Sequence, residues 1–293
     1  MSLLELREVS FTVGGQTLLA PMTVAFRAGR CTALLGPNGS GKTTLFRIAA
    51  GLLQATTGSR EGLPPRALGY CPQADPLWPD LTAREHLELV AGLHGVAVAE
   101  ARARATELLT LLDLLPHAAK LAATLSGGMR RRLAVATALV HRPQCLLLDE
   151  PFAGLDAPQT ARLEALLADL VQAGASVVVA THDLDQAARI ADHLLLLREG
   201  RLLHEGSVAS LRSKAPSHLL EVALPTEAAG RLLARLAARG IAARTTEEGL
   251  SVSGDGVAAL QALATELLTD ETGCTGLEIR PVGLDDLLDG LRP

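Results

Sequence analysis

Residues 3–30 alternate between apolar and polar positions, which is the spacing expected of half-buried β-strands. The apolar members of this pattern are Leu4, Leu6, Val9, Phe11, Val13, Val24 and Phe26. Gly14-Gly15 and Ala28-Gly29 provide turns between the alternating stretches. The pattern predicts an antiparallel β layer that leads into a short buried strand at Cys31–Leu35.

Beyond this layer, short apolar runs alternate with helical patterns as far as residue 204. The predicted strands are Leu68–Gln73, Gln144–Leu148, Ser176–Ala180, Leu194–Leu197 and Arg201–His204, and the predicted helices are Thr44–Ala50, Ala83–Leu93, Val98–Leu115, Gly127–Val140, Pro158–Ala173 and Leu184–Ala191. A continuous apolar run such as Gln144–Leu148 is typical of a strand buried on both faces of a parallel sheet. The alternation therefore predicts an α/β fold with a mixed, mainly parallel sheet.

Two stretches depart from the alternation. Gly51–Arg66 is rich in glycine, proline and threonine and is predicted to be a surface excursion. Residues 76–140 are predicted to form a helical subdomain inserted between β-type segments. Within it, the segment from Thr82 to Glu85 fits a capping box, so we expect a helix to begin at Ala83.

A polar, proline-containing segment at Ser213–Ser217 marks a predicted boundary between a first domain, residues 1–212, and a second, residues 217–293. Beyond it the predicted elements are strand His218–Leu224, helix Thr226–Arg239, strands Ile241–Thr246 and Leu250–Ser253, helix Val257–Leu268 and strand Gly276–Val282. The order β-α-β-β-α-β indicates a small ferredoxin-like α+β domain. Its sequence contains no catalytic or metal-binding cluster, so a regulatory or dimerising role is the favoured interpretation.

Composition narrows the class of protein. Of 293 residues, 48% are hydrophobic and 20% are charged, which indicates a globular chain long enough for two domains. The net charge of −5 argues against a protein that coats nucleic acid, so we expect no nucleic-acid partner. The four scattered cysteines are interpreted as buried apolar side chains in a reducing compartment. No secretory signal and no run of about 20 apolar residues is found, so we expect another polypeptide to supply any membrane spans.

The first chemical motif is Gly36–Thr43, which fits the pattern G-x-x-x-x-G-K-[ST]. Its glycines allow backbone N–H groups to surround an anion, and the helix that follows directs its positive end to the same place. Lys42 is expected to reach the β- and γ-phosphates, and Thr43 to place its hydroxyl on Mg²⁺. The strand–loop–helix context favours a nucleoside triphosphate site over a plain glycine-rich turn.

A second motif is the apolar strand that ends in Asp149 and Glu150. Carboxylates there lie at the carboxyl edge of a parallel sheet, where ligands of α/β proteins bind. Asp149 is expected to hold Mg²⁺, directly or through water, and Glu150 to orient and deprotonate the attacking water. Alone, this pair fits acids that cap a following helix equally well, but the glycine loop favours the catalytic interpretation.

A third motif, Leu125–Met129, contains Ser-Gly-Gly at the start of a helix. The N-terminus of that helix is a second place where an anion can bind. The next three residues, Arg130, Arg131 and Arg132, are interpreted as a solvated basic face rather than a nucleic-acid contact. Trp78, the only tryptophan, is assigned with a slight preference to a surface that faces a partner, the alternative being the core.

These motifs together resemble the ATP-binding-cassette (ABC) ATPases over residues 1–212. The matching segments are Gly36–Thr43 for the Walker A loop, Gln73 for the Q-loop glutamine, Leu125–Met129 for the signature, Leu146–Glu150 for the Walker B strand, Ala153–Asp156 for the D-loop and His182 for the switch histidine. Because the motifs occur in the family's order and spacing, the resemblance is specific. It implies a P-loop ABC ATPase domain with a helical insert.

The resemblance also implies two ATP molecules held head to tail between two copies of the chain. Ser126 and Gly128 of one copy are implied to contact the γ-phosphate bound by Lys42 of the other, and Asp156 to link the two sites. The implied nucleotide-binding residues are Gly36, Pro37, Asn38, Gly39, Ser40, Gly41, Lys42, Thr43, Thr44, Val13, Ser126, Gly127, Gly128 and Asp156. The implied metal ligands are Thr43, Gln73 and Asp149, and the implied catalytic residues are Glu150, His182, Gln73 and Lys42.

The adenine contact departs from the family pattern. Val13 occupies the position where the family stacks an aromatic ring on adenine. Phe11, two residues earlier on the same face of a strand, is the candidate substitute. The alternative is that Val13 packs under the ring, so weak stacking and loose base selectivity are expected.

Within the family, Gly69–Gln73, Leu81–Leu87 and Leu125–Arg132 resemble ATP subunits of ABC-2 type exporters, a group that includes daunorubicin-resistance-like drug exporters. Val282–Asp289 resembles the leucine-acidic ending of their appended tail. This resemblance implies a separate ABC-2 type transmembrane permease subunit and a cytoplasmic location, peripheral on the inner face of the cell membrane.

Two other hypotheses are a soluble ABC ATPase that acts on ribosomes or DNA, and a non-catalytic nucleotide-binding regulator. The single cassette argues against the first, and the intact catalytic motifs argue against the second.

Overall fold

The structure, a computed structural model, describes residues 2–212, 218–254 and 274–283, together with residues 257, 260, 261, 263, 264 and 286. The chain divides into two compact units, Met1–Val208 and Ala209–Pro293. The predicted linker, Ser213–Ser217, lies outside the described residues.

The first unit is an α/β structure, which confirms the predicted fold class. Its strands are β1 (Ser2–Val13), β2 (Gln16–Arg27), β3 (Arg30–Leu35), β4 (Thr57–Gly62), β5 (Leu68–Cys71), β6 (Cys145–Asp149), β7 (Ser176–Thr181), β8 (His193–Arg198) and β9 (Arg201–Gly206). Its helices are α1 (Lys42–Ala49), α2 (Ala83–Leu93), α3 (Val98–Leu111), α4 (Gly127–Leu139), α5 (Ala157–Gln172) and α6 (Leu184–Ile190), with short 3-10 helices at Pro65–Ala67, Leu115–His117 and Ala122–Thr124. A short helix that the sequence did not predict, α7 (Val208–Arg212), follows.

Six strands form one mixed sheet in the order β5-β6-β7-β3-β8-β9, in which only the β8–β9 pair is antiparallel. Strand β6 is buried on both faces, since Leu146 and Leu148 enter one apolar cluster while Cys145 and Leu147 enter another. Because β3, β6 and β7 are parallel, their carboxyl ends lie at the same edge of the sheet. This edge carries the glycine loop, the two acids and His182.

The antiparallel layer has the strand order β2-β1-β4. The predicted surface excursion Gly51–Arg66 contains a strand that the sequence did not predict, since Thr57–Gly62 pairs antiparallel with β1 as β4. Most side chains of β4 are exposed, so the strand lacks the apolar alternation by which a sequence pattern is recognised. Its backbone pairing with β1 forms it instead, helped by Arg60, whose guanidinium donates to the carbonyl oxygens of Ala49 and Leu63 at 2.7 Å each.

The helical subdomain begins at the predicted capping box. The Thr82 hydroxyl accepts a hydrogen bond from the Glu85 N–H at 3.2 Å, and the Glu85 carboxylate accepts one from the Thr82 N–H at 2.9 Å. Helix α3 was predicted to reach Leu115 but ends at Leu111. It ends there because Asp113 adopts a left-handed φ of 56°, which terminates the helix.

The second unit contains β10 (His218–Ala223), α8 (Thr226–Ala238), β11 (Ala243–Thr246), β12 (Gly249–Gly254) and β13 (Gly276–Pro281). The four strands form an antiparallel sheet in the order β11-β12-β10-β13, and Leu232 and Leu236 of α8 belong to the same apolar cluster as Leu220 and Val222 of β10. The predicted helix Val257–Leu268 and the tail Val282–Asp289 lie largely outside the described residues. The ferredoxin-like plan therefore stays a prediction.

Cys31, Cys71 and Cys145 are buried free thiols, as the sequence indicated, whereas Cys274 is only partly buried and the prediction was wrong for it. Burial raises the pKa of the Cys31 thiol to about 12 and that of Cys71 to about 11. Neither thiol is therefore a reactive nucleophile at neutral pH.

A close contact between β5 and α4 fixes the segment that precedes Gln73. A Cβ atom added at Gly69 would overlap the main-chain oxygen of Ala138. We expect Gly69→Ala to destabilise the first unit by about 1–3 kcal/mol, because one of the two backbones must move.

The matched control is Gly92→Ala on α2, where a new Cβ would meet nothing within 4 Å. This change is expected to be neutral or to stabilise the unit by up to about 1 kcal/mol. Urea unfolding followed by the fluorescence of Trp78, the chain's only tryptophan, measures both variants. Equal unfolding midpoints would contradict the close contact.

Candidate active site

The glycine loop joins β3 to α1 at the carboxyl edge of the sheet. Gly41 is the N-cap of α1 and has a φ of 104°, and a Cβ there would lie 2.6 Å from the Leu19 side chain. Both the backbone conformation and the close approach of β2 therefore require glycine. The N–H groups at the start of α1 consequently face the loop, where an anion binds favourably.

Lys42 is folded into the loop and is only 6% exposed. Its ammonium donates to the carbonyl oxygen of Gly36 at 2.5 Å and to that of Pro37 at 3.1 Å. Burial lowers the pKa of Lys42, and the carboxylates of Glu150 and Asp149 oppose that shift. The loop thus holds a buried amino group, and a bound phosphate would contact it and stabilise its protonated form.

Thr43 and Asp149 meet across the two motifs. The Thr43 hydroxyl donates to an Asp149 carboxylate oxygen at 2.7 Å, and Asp149 is 1% exposed. Burial raises the pKa of the Asp149 carboxyl, while the hydrogen bond from Thr43 opposes the shift. A hydroxyl and a carboxylate at hydrogen-bond distance are the hard oxygen ligands that Mg²⁺ prefers, so these residues fit the metal.

A cleft of about 250 Å³ connects these groups. It is lined by Leu18, Asn38, Gly39, Ser40, Gly41, Lys42, Thr43, Thr44, Gln73, Asp149 and Glu150. The Ser40 hydroxyl is buried and has no hydrogen-bond partner among the described residues. Since buried polar groups are normally paired, an unpaired hydroxyl beside Lys42 fits a bound phosphate oxygen.

Glu150 and His182 lie together at the ends of β6 and β7. Nδ1 of His182 is 2.9 Å from a carboxylate oxygen of Glu150. The Glu150 side chain is 11% exposed and that of His182 is 63% exposed. The pair therefore places a carboxylate inside the cleft and an imidazole at its solvent side.

The signature and D-loop residues form a second group. Ser126 caps α4, accepting from the Met129 N–H at 3.3 Å, and Asp156 caps α5, accepting from the Gln159 N–H at 2.9 Å. A Cβ at Gly128 would lie 3.0 Å from the Gly154 oxygen, so the two motifs adjoin. Within the part of the chain that the structure describes, neither Asp156 nor any of Ser126–Gly128 lines the cleft.

Neither Val13 nor Phe11, the two residues that the sequence indicated for the adenine contact, lines the cleft, and that contact stays a prediction. Val13 is 54% exposed and does not line the cleft, and Phe11 packs against the apolar cluster of the β layer. Leu18, which the sequence did not indicate, lines the cleft. It is the extra residue of a β-bulge, since Phe11 pairs with Leu19 while Thr12 pairs with Thr17. Bulges redirect a side chain, and no local sequence signal marks this one.

The interpretation of the three arginines as a solvated face was wrong for two of them. Arg131 is 9% exposed and Arg132 is 7% exposed. Arg130 is partly exposed and pairs with Asp75 at 2.8 Å. The pattern of charges along one helix turn did not reveal that α4 is packed on both sides.

The sequence matches the family described as ABC transporter over residues 19–153. It is 35% identical over 239 residues to Nod factor export ATP-binding protein I of Burkholderia orbicola (strain AU 1054), an alignment that covers 78% of this chain and 79% of that protein. The chain belongs to the ABC transporter family. Subunits of this kind work with a transmembrane subunit and form dimers.

Two solved structures share the fold. The ATP-binding subunit of an ABC transporter superposes with a TM-score of 0.69 at 29% identity, covering 73% of this chain and 93% of that one. The dimeric post-hydrolysis state of the ATP-binding cassette MJ0796, bound to ADP and Pi, gives a TM-score of 0.65 at 28% identity, covering 70% and 98%. The ABC family member described here is an ATP hydrolase that uses ATP with Mg²⁺. No helix in its described residues is long and apolar enough to cross a membrane.

Proposed function

We propose that the chain drives export through a separate ABC-2 type transmembrane permease, from the cytoplasmic face of the cell membrane. The observation that carries the ATP-driven part of the proposal is the cleft in which Lys42, Thr43, Asp149 and Glu150 converge. Export is supported by the similarity to a protein named for Nod factor export and by the exporter-like segments around the signature. The ABC-2 permease type rests on those segments.

In the proposed mechanism, the loop and the Lys42 ammonium bind the β- and γ-phosphates. Thr43, Asp149 and Gln73 would hold Mg²⁺, which neutralises charge on the phosphates when bound. Glu150 orients the attacking water and accepts its proton. His182, held by Glu150, hydrogen-bonds the γ-phosphate as charge develops on it.

The second half of each site comes from another copy of the chain. Ser126 and Gly128 lie at the start of α4, whose N–H groups suit an anion, yet they do not line their own chain's cleft within the described residues. A second copy placed head to tail would bring them to the γ-phosphate. The dimeric cassette among the similar structures supports this arrangement.

The surface around Trp78 is the proposed contact with the permease. Trp78 is 46% exposed and its ring lies 4.9 Å from that of His86. Leu89 and Leu93 on α2 are also exposed, at 44% and 71%. Apolar and aromatic side chains exposed near the Q-loop segment are typical of a protein contact.

The first test replaces Glu150 with glutamine. Glu150→Gln removes the proton acceptor while keeping the shape of the side chain, so we expect ATP turnover to fall by about 100-fold or more. ATP binding should survive, and a nucleotide-bound dimer should accumulate on gel filtration. Glu107→Gln on the surface of α3 is the control and should leave turnover unchanged. Turnover close to that of the wild type in Glu150→Gln would remove Glu150 from its role.

The head-to-tail dimer is tested by mixing two inactive variants. Lys42→Met removes the phosphate-binding charge, and Ser126→Asp keeps the helix cap while placing a negative charge against the γ-phosphate. In a mixed dimer one composite site is intact, so the mixture should recover up to about a quarter of wild-type turnover. A mixture as inactive as its components contradicts the shared site.

Coupling to a permease is tested by co-purification with the membrane proteins encoded beside this chain. We expect a multi-span protein to co-purify and to stimulate ATP hydrolysis, and Trp78→Ala to weaken both effects without changing basal turnover. Stimulation by ribosomes or DNA, without a membrane partner, would contradict the export role.

A further inference from the structure

Consecutive arginines at the start of α4 reach three different parts of the molecule. Arg130 pairs with Asp75 at the surface. Arg132 donates to the carbonyl oxygens of Leu112 and Asp113, at 2.6 and 3.1 Å, where α3 ends. Arg131 donates to the carbonyl oxygens of Pro72 and Asp149, in the two segments from which Gln73 and Asp149 line the cleft.

The contact with Asp149 fixes the turn between the two acids. One end of the peptide that joins Asp149 to Glu150 is held by Arg131, which donates to the Asp149 oxygen. The other end is held by β7, since the Glu150 N–H donates to the Ala180 oxygen at 3.0 Å. Glu150 has a φ of 52°, a left-handed conformation that costs free energy for a residue with a side chain. The two hydrogen bonds hold this turn and so determine where the Glu150 carboxylate points.

The same guanidinium also holds the segment that carries Gln73. Nη1 of Arg131 lies 2.6 Å from the Pro72 oxygen and 3.5 Å from the Gln73 oxygen. Gln73 itself is exposed and lines the cleft, so its backbone anchor limits the positions of its side chain. One side chain therefore ties the backbone of Gln73 to the backbone of the two acids.

The surroundings of Arg131 are costly for a residue that serves stability alone. It is 9% exposed, its acceptors are neutral carbonyl oxygens, and Nε has no hydrogen-bond partner among the described residues. Burial raises the pKa of the Asp149 carboxyl in the cleft, and the charge of Arg131 acts to lower it. Buried charges are normally paired with an opposite charge because desolvation is unfavourable. Arg132, equally buried, has the Asp113 carboxylate at 3.6 Å. The charge of Arg132 thus lies near a carboxylate where α3 ends, whereas that of Arg131 acts on a carboxylate of the cleft, which indicates that Arg131 serves the cleft.

We propose that Arg131 is a positioning residue for ATP hydrolysis, which holds the backbones of Gln73 and of the Asp149–Glu150 turn in the arrangement that turnover requires. The inference rests on the proposed roles of these three side chains. Arg131 lies on the helix that Ser126 caps, about 7 Å along the axis. A displacement of α4 by nucleotide held on a second copy would therefore reach the acids of its own chain through Arg131.

The test compares Arg131→Met with Arg132→Met. Both changes remove a buried guanidinium from the same helix and keep a similar apolar length. We expect Arg131→Met to lower kcat by about 10-fold or more, because groups that orient metal ligands have effects of this size. KM for ATP should change by less than about 2-fold, since the glycine loop and Lys42 are intact. Arg132→Met should lower kcat by less than about 2-fold, and the two variants should have comparable midpoints of urea unfolding.

A second measurement does not depend on turnover. Trp78 lies in the same segment as Gln73, so acrylamide quenching of its fluorescence reports whether that segment is held. In nucleotide-free, metal-free protein, quenching should increase in Arg131→Met and match the wild type in Arg132→Met. Arg131→Lys keeps a hydrogen-bond donor and should recover part of kcat. If Arg131→Met does not fold, Arg131→Lys is compared with the wild type in its place.

Equal loss of kcat in the two methionine variants, or a loss confined to KM, overturns the inference. The inference is also overturned if Arg131→Met matches the wild type in both Trp78 quenching and kcat. Glu150→Gln measured in parallel separates the two proposals. If Glu150→Gln is inactive while Arg131→Met behaves like Arg132→Met, only the role of Arg131 fails. If Glu150→Gln turns over normally, the proposed mechanism fails first.

Discussion

The turn from Asp149 to Glu150 is the constraint on which the geometry of the cleft depends. A strand buried on both faces ends there in two acids, and the backbone of the turn still needs hydrogen-bond partners. Ala180 of the neighbouring strand accepts from the Glu150 N–H, and Arg131 of α4 donates to the Asp149 oxygen. Sheet and helix together therefore hold one carboxylate against Thr43 and turn the other toward the cleft.

The glycine loop depends on the same sheet. Strand β3 is separated from β6 only by β7, so the hydroxyl of Thr43 and the carboxylate of Asp149 meet at 2.7 Å. Around them lie a buried amino group and the unpaired hydroxyl of Ser40. Without a ligand these groups are unfavourable for the fold, because their desolvation is only partly compensated. A triphosphate with Mg²⁺ supplies the missing partners, so binding and local stability are linked.

In the proposed head-to-tail dimer, the signature residues complete the site of the other copy. Ser126 caps α4 at its own surface, next to the D-loop and outside the cleft within the described residues. The N–H groups at the start of α4 suit an anion, which in the proposed dimer is the γ-phosphate held by the other copy. In that arrangement α4 would face the partner at its first turn and contact the acids of its own chain through Arg131. One helix would then connect the two proposed sites.

Local sequence determined the features that local geometry creates. Gly36–Thr43 requires glycine for its backbone angles, and the capping box at Thr82 and Glu85 satisfies its own N–H groups, so both were predictable from adjacent residues. The apolar run of β6 likewise revealed a strand buried on both faces. These patterns were enough to predict the α/β fold and the phosphate cleft.

Tertiary structure alone decided the features that arise where distant segments meet. Strand β4 forms by backbone pairing with β1, which leaves no apolar pattern in its own sequence. The bulge that turns Leu18 toward the cleft depends on the register between β1 and β2, and register is not encoded in either strand alone. The different directions of Arg131 and Arg132 depend on which elements pack against α4. The two side chains are identical, and only the carbonyl groups that the fold brings to them differ. Those groups place Arg131 at the turn between the two acids and Arg132 at the end of α3.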